Sequence, residues 1–470
     1  MRNFLLGWPS MGPANSSLLT GTVPSPSTQA VATTNTNNRV DPPSTHASHH
    51  LHPAMSLHEH AAIRLVHILV TCAAAIQAGD YGVAVNNLAE AHTLLATTIP
   101  TSSGIGRVTS HFATALAYRL FSASPHSSMP PSSSSPSPNN QAGEQYRQFY
   151  DMVPHLKFAH FAANQAILEA FQGHDQVHII DLAIMRGLQW LPLIQAFSLQ
   201  SGGPPSIRIT GVGPTPTGPH DDIQEVGLLL TEHARVLNVP FSFHSVTCDS
   251  LEGLKPWMFH LIHSEAVAIN SIFQLHRLLG DPDAASTSLP PPIDTVLGWI
   301  TAMRPKVFTI VEQEADHNKP ELVERFTNAL FYYGVAFDSM EAIVPRSQAG
   351  TAGLAAEAHL QREIFDIVCN EGSGRVERHE TLQCWRGRLR RAGLAQVPLG
   401  PNNLRHASML LRIFSGAGYH VMERGDGLML AWHGNPLFSV SVWHVMEEEL
   451  EDNKNNVVRH VTTGAMLSMQ

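Results

Sequence analysis

From residue 177 onward the chain alternates short apolar runs of β character with longer stretches of helical period. Parallel strands cannot be joined by a tight turn, so a strand–helix–strand rhythm points to a mostly parallel sheet with helices on both faces. The runs 177–181, 207–212, 241–246, 266–270 and 307–312 read as strands. The stretches 187–199 and 221–237 read as helices, the second opened by acidic residues that suit a helix N-terminus. A helix is expected to run from residue 270 through Leu279, and another from the Pro-rich 289–292 to Met303. Residues 320–333 predict a helix with Pro at its first position, followed by a strand over 336–341. Helices are expected over 357–370, 378–392 and 403–415, and β segments over 419–423, 428–433 and 438–443. The late β-β succession suggests antiparallel strands at one edge. The expected fold class is α/β, with a Rossmann-like sheet.

Ahead of this core, residues 57–121 carry helical stripes. Leu65, Leu69, Cys72 and Ile76 share one face, as do Val85, Leu88, Ala91 and Leu95. Val108, Phe112, Ala115 and Leu116 cluster on a third helix. These helices form either a cap on the same chain or a surface for a partner's helices. Residues 1–56 are rich in Ser, Thr, Pro and His, with Arg2, Arg39 and Asp41 as the charges before residue 56. Such a segment buries too little apolar surface to offset its ordering entropy, so it is expected to be disordered. Its Phe4, Leu5, Leu6 and Trp8 are either a partner-binding patch or part of an unstructured tail. His46, His49, His50, His52, His58 and His60 lie close together, but no Cys neighbour helps to fix a metal geometry. The low-complexity stretch 122–143 reads as a disordered insertion, 144–448 as the α/β core, and 449–470 as a flexible tail, so that 57–448 forms one domain.

Composition narrows the function. Lys and Arg number 29 against 39 Asp and Glu, a formal charge of −10. That balance opposes direct DNA contact, which draws on clustered cations, and only Arg386, Arg388, Arg390 and Arg391 are locally basic. Four cysteines with no CxxC pair suit a reducing compartment and neither a disulfide framework nor a zinc ribbon. No membrane span is expected, because residues 61–76, the nearest approach, are interrupted by Arg64 and His67. The first residues lack an apolar stretch long enough for a secretory signal.

Open α/β sheets bind ligands beyond the C-terminal ends of their strands. The first strand there delivers Asp181, but a dinucleotide or S-adenosylmethionine site also wants a glycine-rich turn. Only Gly187 is present, and Gly211-Val212-Gly213 runs into Pro214 instead of a helix. No acidic residue ends the second strand to hold a ribose. Glu312, Glu314, Asp316 and His317 form either an acid–base or metal cluster or a hydrogen-bonded loop. No GxSxG, Walker A or HExxH motif occurs. No catalytic, cofactor or metal residue is therefore assigned. Leu275, Leu278 and Leu279 form an LxxLL motif, which on a helix either fills a partner's groove or joins the core.

The segment Val177-His178-Ile179-Ile180-Asp181 is a recognisable VHIID signature. With it the chain resembles the plant GRAS family of transcriptional regulators over residues 57–445. Leucine-rich regions flank the signature. Pro320, Arg325-Phe326, Tyr332-Tyr333, Phe337-Asp338 and Arg362-Glu363 resemble the family's PFYRE region. The stretch from Arg375 through Arg378 looks like its RVER segment, and LMLAWHGNPLFSVSVWH, with Trp432, Ser441 and Trp443, like its SAW motif. NSIFQLHRLL, VEQEADHN and ERHETLQCWR look most like the DELLA branch, the gibberellin-signalling repressors. Nothing in residues 1–56 resembles the DELLA or TVHYNP-type motifs gripped by the gibberellin receptor.

The resemblance implies a methyltransferase-like Rossmann core with a helical cap. It implies a nuclear coregulator, not an enzyme, that works through DNA-binding transcription factors, with homo- or hetero-dimers among its family. It also implies repression of gibberellin responses with weak or no receptor binding and no hormone-triggered loss. Leu65, Leu69, Leu88 and Leu95 are expected to carry partner binding or dimerisation. His178 and Asp181 are expected to set the VHIID structure, and Arg375, Arg378, Trp432 and Trp443 to support the C-terminal part. The competing expectation is an S-adenosylmethionine-type methyltransferase-like enzyme.

Overall fold

The computed structural model describes residues 57–121, 154–216, 221–280, 291–343, 350–414 and 418–446, with isolated positions between 147 and 151. The Ser/Thr/Pro-rich tail, the 122–143 insertion, the C-terminal tail, and His46, His49, His50 and His52 lie outside the described residues.

Three helices open the described chain: α1 (Leu57–Ala78), α2 (Tyr81–Thr97) and α3 (Gly104–Phe121). Gly79 takes a left-handed φ of 78° between the first two, and the Asp80 carboxylate caps α2 by accepting from the Val83 N–H at 3.2 Å. By length and apolarity α1 is a candidate membrane span. Its stripe of Leu65, Leu69 and Cys72 is instead fully buried, packed on α2, α3 and a later helix over Leu322–Ile343. Ile63 of α1 and Tyr81, Val83 and Val85 of α2 are exposed.

After α4 (Pro154–Ala170), the sheet begins with β1 (Gln176–Asp181), α5 (Trp190–Ser198), β2 (Ser206–Gly213), α6 (Asp222–Val236), β3 (Phe241–Thr247) and β4 (Ala266–Ile272). Then come α7 (Pro292–Ala302), β5 (Val307–Gln313), α8 (Leu322–Ile343), α9 (Gly350–Cys369), α10 (Leu382–Arg391), β6 (Leu394–Val397) and α11 (Pro401–Leu411). The chain closes with β7 (Tyr419–Arg424), β8 (Gly427–Trp432) and β9 (Asn435–Val445). The sheet order is β3-β2-β1-β4-β5-β9-β8-β7, with β6 also paired to β9. Strands β1 to β5 are parallel and the rest antiparallel. The fold is thus the expected α/β class with a mostly parallel sheet.

Both faces of the sheet are covered. Val177 and Ile179 of β1 face a large core shared with the helical cap, whereas Ile180 faces a second core with Trp299, Trp385 and Trp443. Two-sided burial explains why the central strands read as continuous apolar runs without alternation.

Three local expectations are corrected. Residues 336–341 are not a strand but the last part of the 22-residue α8. Phe326, Ala329, Leu330, Tyr333 and Phe337 recur at helical spacing along its buried face, and that period outweighs the β propensity of the aromatic residues. Pro320 lies ahead of this helix, which opens at Leu322. The stretch after β4 is a single 3-10 turn, Leu275–Leu278, not an α-helix. The four-residue β6 is an addition that no pattern over so short a run announced.

Candidate functional site

The strand order reverses beside β1, where β2 lies on one side and β4 on the other, and this is where open α/β sheets take ligands. Here the chain fills its own crevice. The segment after β1 is stitched to both neighbours, with Leu182 N–H donating to Asn270 O and Ile184 N–H to Val212 O, each at 2.9 Å. Ile184 then lies across β2 so closely that a Cβ on Gly211 would meet it at 2.8 Å. Gly187, at φ 67°, lets the segment pass α6, where a Cβ would meet Val226 at 2.6 Å.

A satisfied polar cluster lies beneath. Trp190 Nε1 donates to Asp181 Oδ2 at 2.8 Å, and Asn270 Nδ2 donates to Asp181 Oδ1 at 3.2 Å. Gln189 exchanges side-chain hydrogen bonds with Asn270 at 3.1 and 3.2 Å and donates to Asn164 Oδ1 at 3.1 Å. Thr309 Oγ1 donates to Asn270 Oδ1 at 2.8 Å. Burial pushes the Asp181 carboxyl up to about 6, against the hydrogen bonds from Ala183, Asn270 and Trp190 that hold it down. Both carboxylate oxygens are occupied by protein donors, so the group acts as a strut between β1, β4 and α5.

His178, three residues earlier on β1, is fully buried. Burial, then the Arg208 charge and His244, bring its imidazole down to about 3, so it is neutral. Its Nε2 lies 2.8 Å from Thr210 Oγ1 and its Nδ1 accepts from Arg208 at 3.0 Å. Arg208 in turn donates two bonds to Glu265. His178 and Asp181 therefore both tie β1 to its neighbours, on opposite sides.

A second buried polar cluster lies beyond β4 and β5. Glu312 accepts from the Leu275 N–H at 2.8 Å and from His276 Nδ1 at 2.7 Å. His276 Nε2 meets Glu377 at 2.8 Å, and His317 Nδ1 lies 3.0 Å from His379 Nδ1. Burial alone would lower His276, but Glu312 and Glu377 outweigh it and carry the imidazole up to about 10. Burial brings His317 down to about 3. Tyr333 OH donates to Glu363 at 2.8 Å, and Gln313 Nε2 reaches the same carboxylate at 3.2 Å. Arg375 donates to His317 O at 2.8 Å, and Arg378 to Asn318 Oδ1 and Arg375 O, each at 2.9 Å. Of the acidic cluster expected after β5, only Glu312 and His317 reach this network. Glu314 instead accepts from the Leu382 N–H at 2.9 Å, and Asp316 pairs with Lys319 at 2.9 Å.

The remaining singled-out residues are structural in placement. Phe326 packs edge-on to Phe112, and Tyr332 OH donates to Leu437 O at 3.0 Å. Pro320 is half-buried and Arg362 is exposed on α9. Trp432 donates to Asp338, and Trp443 Nε1 to Ser441 Oγ at 2.9 Å. Leu65, Leu69 and Leu88 are buried, Leu95 is half-buried, and Leu275, Leu278 and Leu279 are buried on their 3-10 turn. Among the described residues, the buried leucines pack within this chain's own cores. Their apolar stripes pack onto this chain, and the surface of the first two helices is made by other residues. Arg388 pairs with Glu380 at 2.9 Å and Arg386 with Gln396 at 2.8 Å, so two cations of the basic run are engaged internally.

Comparison with known proteins agrees with this architecture. The model of the GRAS domain family matches residues 65–444. The rice protein SLENDER RICE1-LIKE 2 (Oryza sativa subsp. japonica) is 55% identical over 390 residues, covering 82% of this chain and 77% of the relative. The DELLA protein GAI of Arabidopsis thaliana is 41% identical over 384 residues, covering 81% and 68%. The crystal structure of SCL7 from Oryza sativa superposes with a TM-score of 0.68 at 30% identity, covering 81% of this chain and 99% of that one. The chain belongs to the GRAS domain family of plant transcriptional regulators, among relatives of the DELLA kind.

Proposed function

We propose that this chain is a nuclear coregulator that represses gibberellin responses by contacting DNA-binding transcription factors, and that gibberellin does not trigger its removal. The observation that carries the reading is the closed crevice. Leu182 to Ile184 and the Asp181–Asn270–Gln189 cluster occupy the place where a related fold would take a cofactor. A sheet that spends its ligand position on internal hydrogen bonds is a scaffold for surfaces. The acidic net charge favours protein partners over DNA. The exposed apolar residues of α1 and α2, Ile63, Tyr81, Val83 and Val85, supply partner contacts in this reading, while Leu65, Leu69 and Leu88 hold the two helices in place. Uncoupling from the hormone receptor is part of the proposal.

Overexpression in plants tests the repressor reading. Shortened growth and lowered gibberellin-responsive transcripts are expected, and unchanged growth and transcripts would refute it.

A further inference from the structure

His276 lies about a hundred residues of chain ahead of Glu377 and His379, yet the ligand atoms of the three all lie within 4.8 Å of one another. His276 follows β4 on the 3-10 turn, and the other two lie in the irregular segment ahead of α10. We propose that His276 Nε2, His379 Nε2 and Glu377 Oε2 bind a zinc ion, with Glu312 and His317 as the residues that position the two imidazoles.

The donor set is the first argument. Two imidazoles and one carboxylate are a common zinc complement, leaving the fourth tetrahedral position to water. The groups behind the ligands are the second. Glu312 takes the Nδ1–H of His276 at 2.7 Å, which orients the ring and leaves Nε2 as the coordinating atom. His317 Nδ1 lies 3.0 Å from His379 Nδ1, so a bond donated from His379 leaves its Nε2 lone pair directed at Glu377. The third argument is independent of the other two. His379 is fully buried, and its Nε2 has no hydrogen-bond partner among the described residues, with Glu377 Oε2 3.6 Å away. An ion between these atoms supplies the interaction that the protein does not.

The His276 and His379 rings stack at 4.2 Å with 29° between their planes. Coordination tilts them apart and draws each Nε2 to about 2.0–2.1 Å from the metal. Zinc takes the place of the proton shared by His276 and Glu377, which passes to solvent. The result is a cross-link between the turn after β4 and the Arg375–Arg378 segment.

The test uses the full chain and zinc alone. The histidines of the first segment would bind zinc themselves, so the background carries His46→Ala, His49→Ala, His50→Ala and His52→Ala. Competition against a chromophoric chelator should give one zinc per chain, and cobalt in its place should give the intense visible bands of a tetrahedral site. Glu377→Gln and His379→Gln should each weaken zinc by at least 10-fold, and Glu312→Gln by about 10- to 100-fold. Should His379→Gln fail to fold, the cobalt spectrum of the background protein and the affinity of Glu377→Gln decide the matter. Loss of all zinc binding in the background, or undiminished affinity in Glu377→Gln, would overturn the proposal.

Discussion

Trp190 Nε1 donates to Asp181 Oδ2 across 2.8 Å of buried space, and this bond joins the first residue of α5 to the last residue of β1. It shuts the strand end that other folds of this class leave open. Replacing Asp181 by Asn keeps the size but turns one acceptor into a donor facing donors. The variant is expected to lose about 1–3 kcal/mol at pH 5, measured by urea unfolding.

The same pair predicts a pH signature. Asp181 stands at about 6 in the fold against an ordinary value of 3.8. Between those values the native state holds the extra proton, so this group's contribution is full below pH 3.8 and is lost as pH rises through 6. The stability gap between the native chain and Asp181→Asn should therefore shrink as pH rises, by up to about 3 kcal/mol. A gap that widens with pH would contradict this assignment.

His178 works in the opposite direction. It falls from 6.5 unfolded to about 3 folded, so the unfolded chain binds the proton first as pH drops. Its stabilisation is complete above pH 6.5 and is lost as pH falls towards 3. His155 and His160 are lowered by burial to the same level and add to the effect. Unfolding free energy measured from pH 6 to pH 4 should fall less steeply in His178→Gln, by about 1.4 kcal/mol per pH unit. Equal slopes would show that His178 is protonated in the fold.

The leucine motifs separate packing from docking. Leu69→Ala and Leu278→Ala each empty a buried site and should cost about 2–5 kcal/mol. Tyr81→Ala and Val85→Ala alter exposed positions and should change stability by less than about 0.5 kcal/mol. In co-precipitation with transcription factors the exposed pair should weaken binding while the protein remains folded by circular dichroism. Binding unaffected by the exposed pair would place the partner surface elsewhere.

The central strands were legible because burial on both faces leaves a chemical mark, the unbroken run Val177 to Ile180. Helix α8 was only half legible, since Tyr332, Tyr333, Val335 and Phe337 have β character and only the spacing of the buried face restores the helix. Asp181 was readable as a strand-end residue, but its partners Asn270 and Trp190 come from other elements. The His276–Glu377–His379 convergence was not readable. It joins two irregular segments that no period marks, and only the sheet order brings them together. The stripe of Leu65, Leu69 and Cys72 was legible as a buried helix face, whereas Val85 of the second stripe is exposed, and periodicity does not say whether a face meets its own chain or another.

The proposed function turns on an abundance that gibberellin leaves unchanged. Abundance of the tagged protein in plant cells, followed after gibberellin with protein synthesis blocked, tests it most directly. A level unchanged by the hormone is expected, while a DELLA protein in the same cells disappears. Rapid proteasome-dependent loss of this chain would contradict it, and would mean that the receptor or its ligase grips a surface of the folded domain.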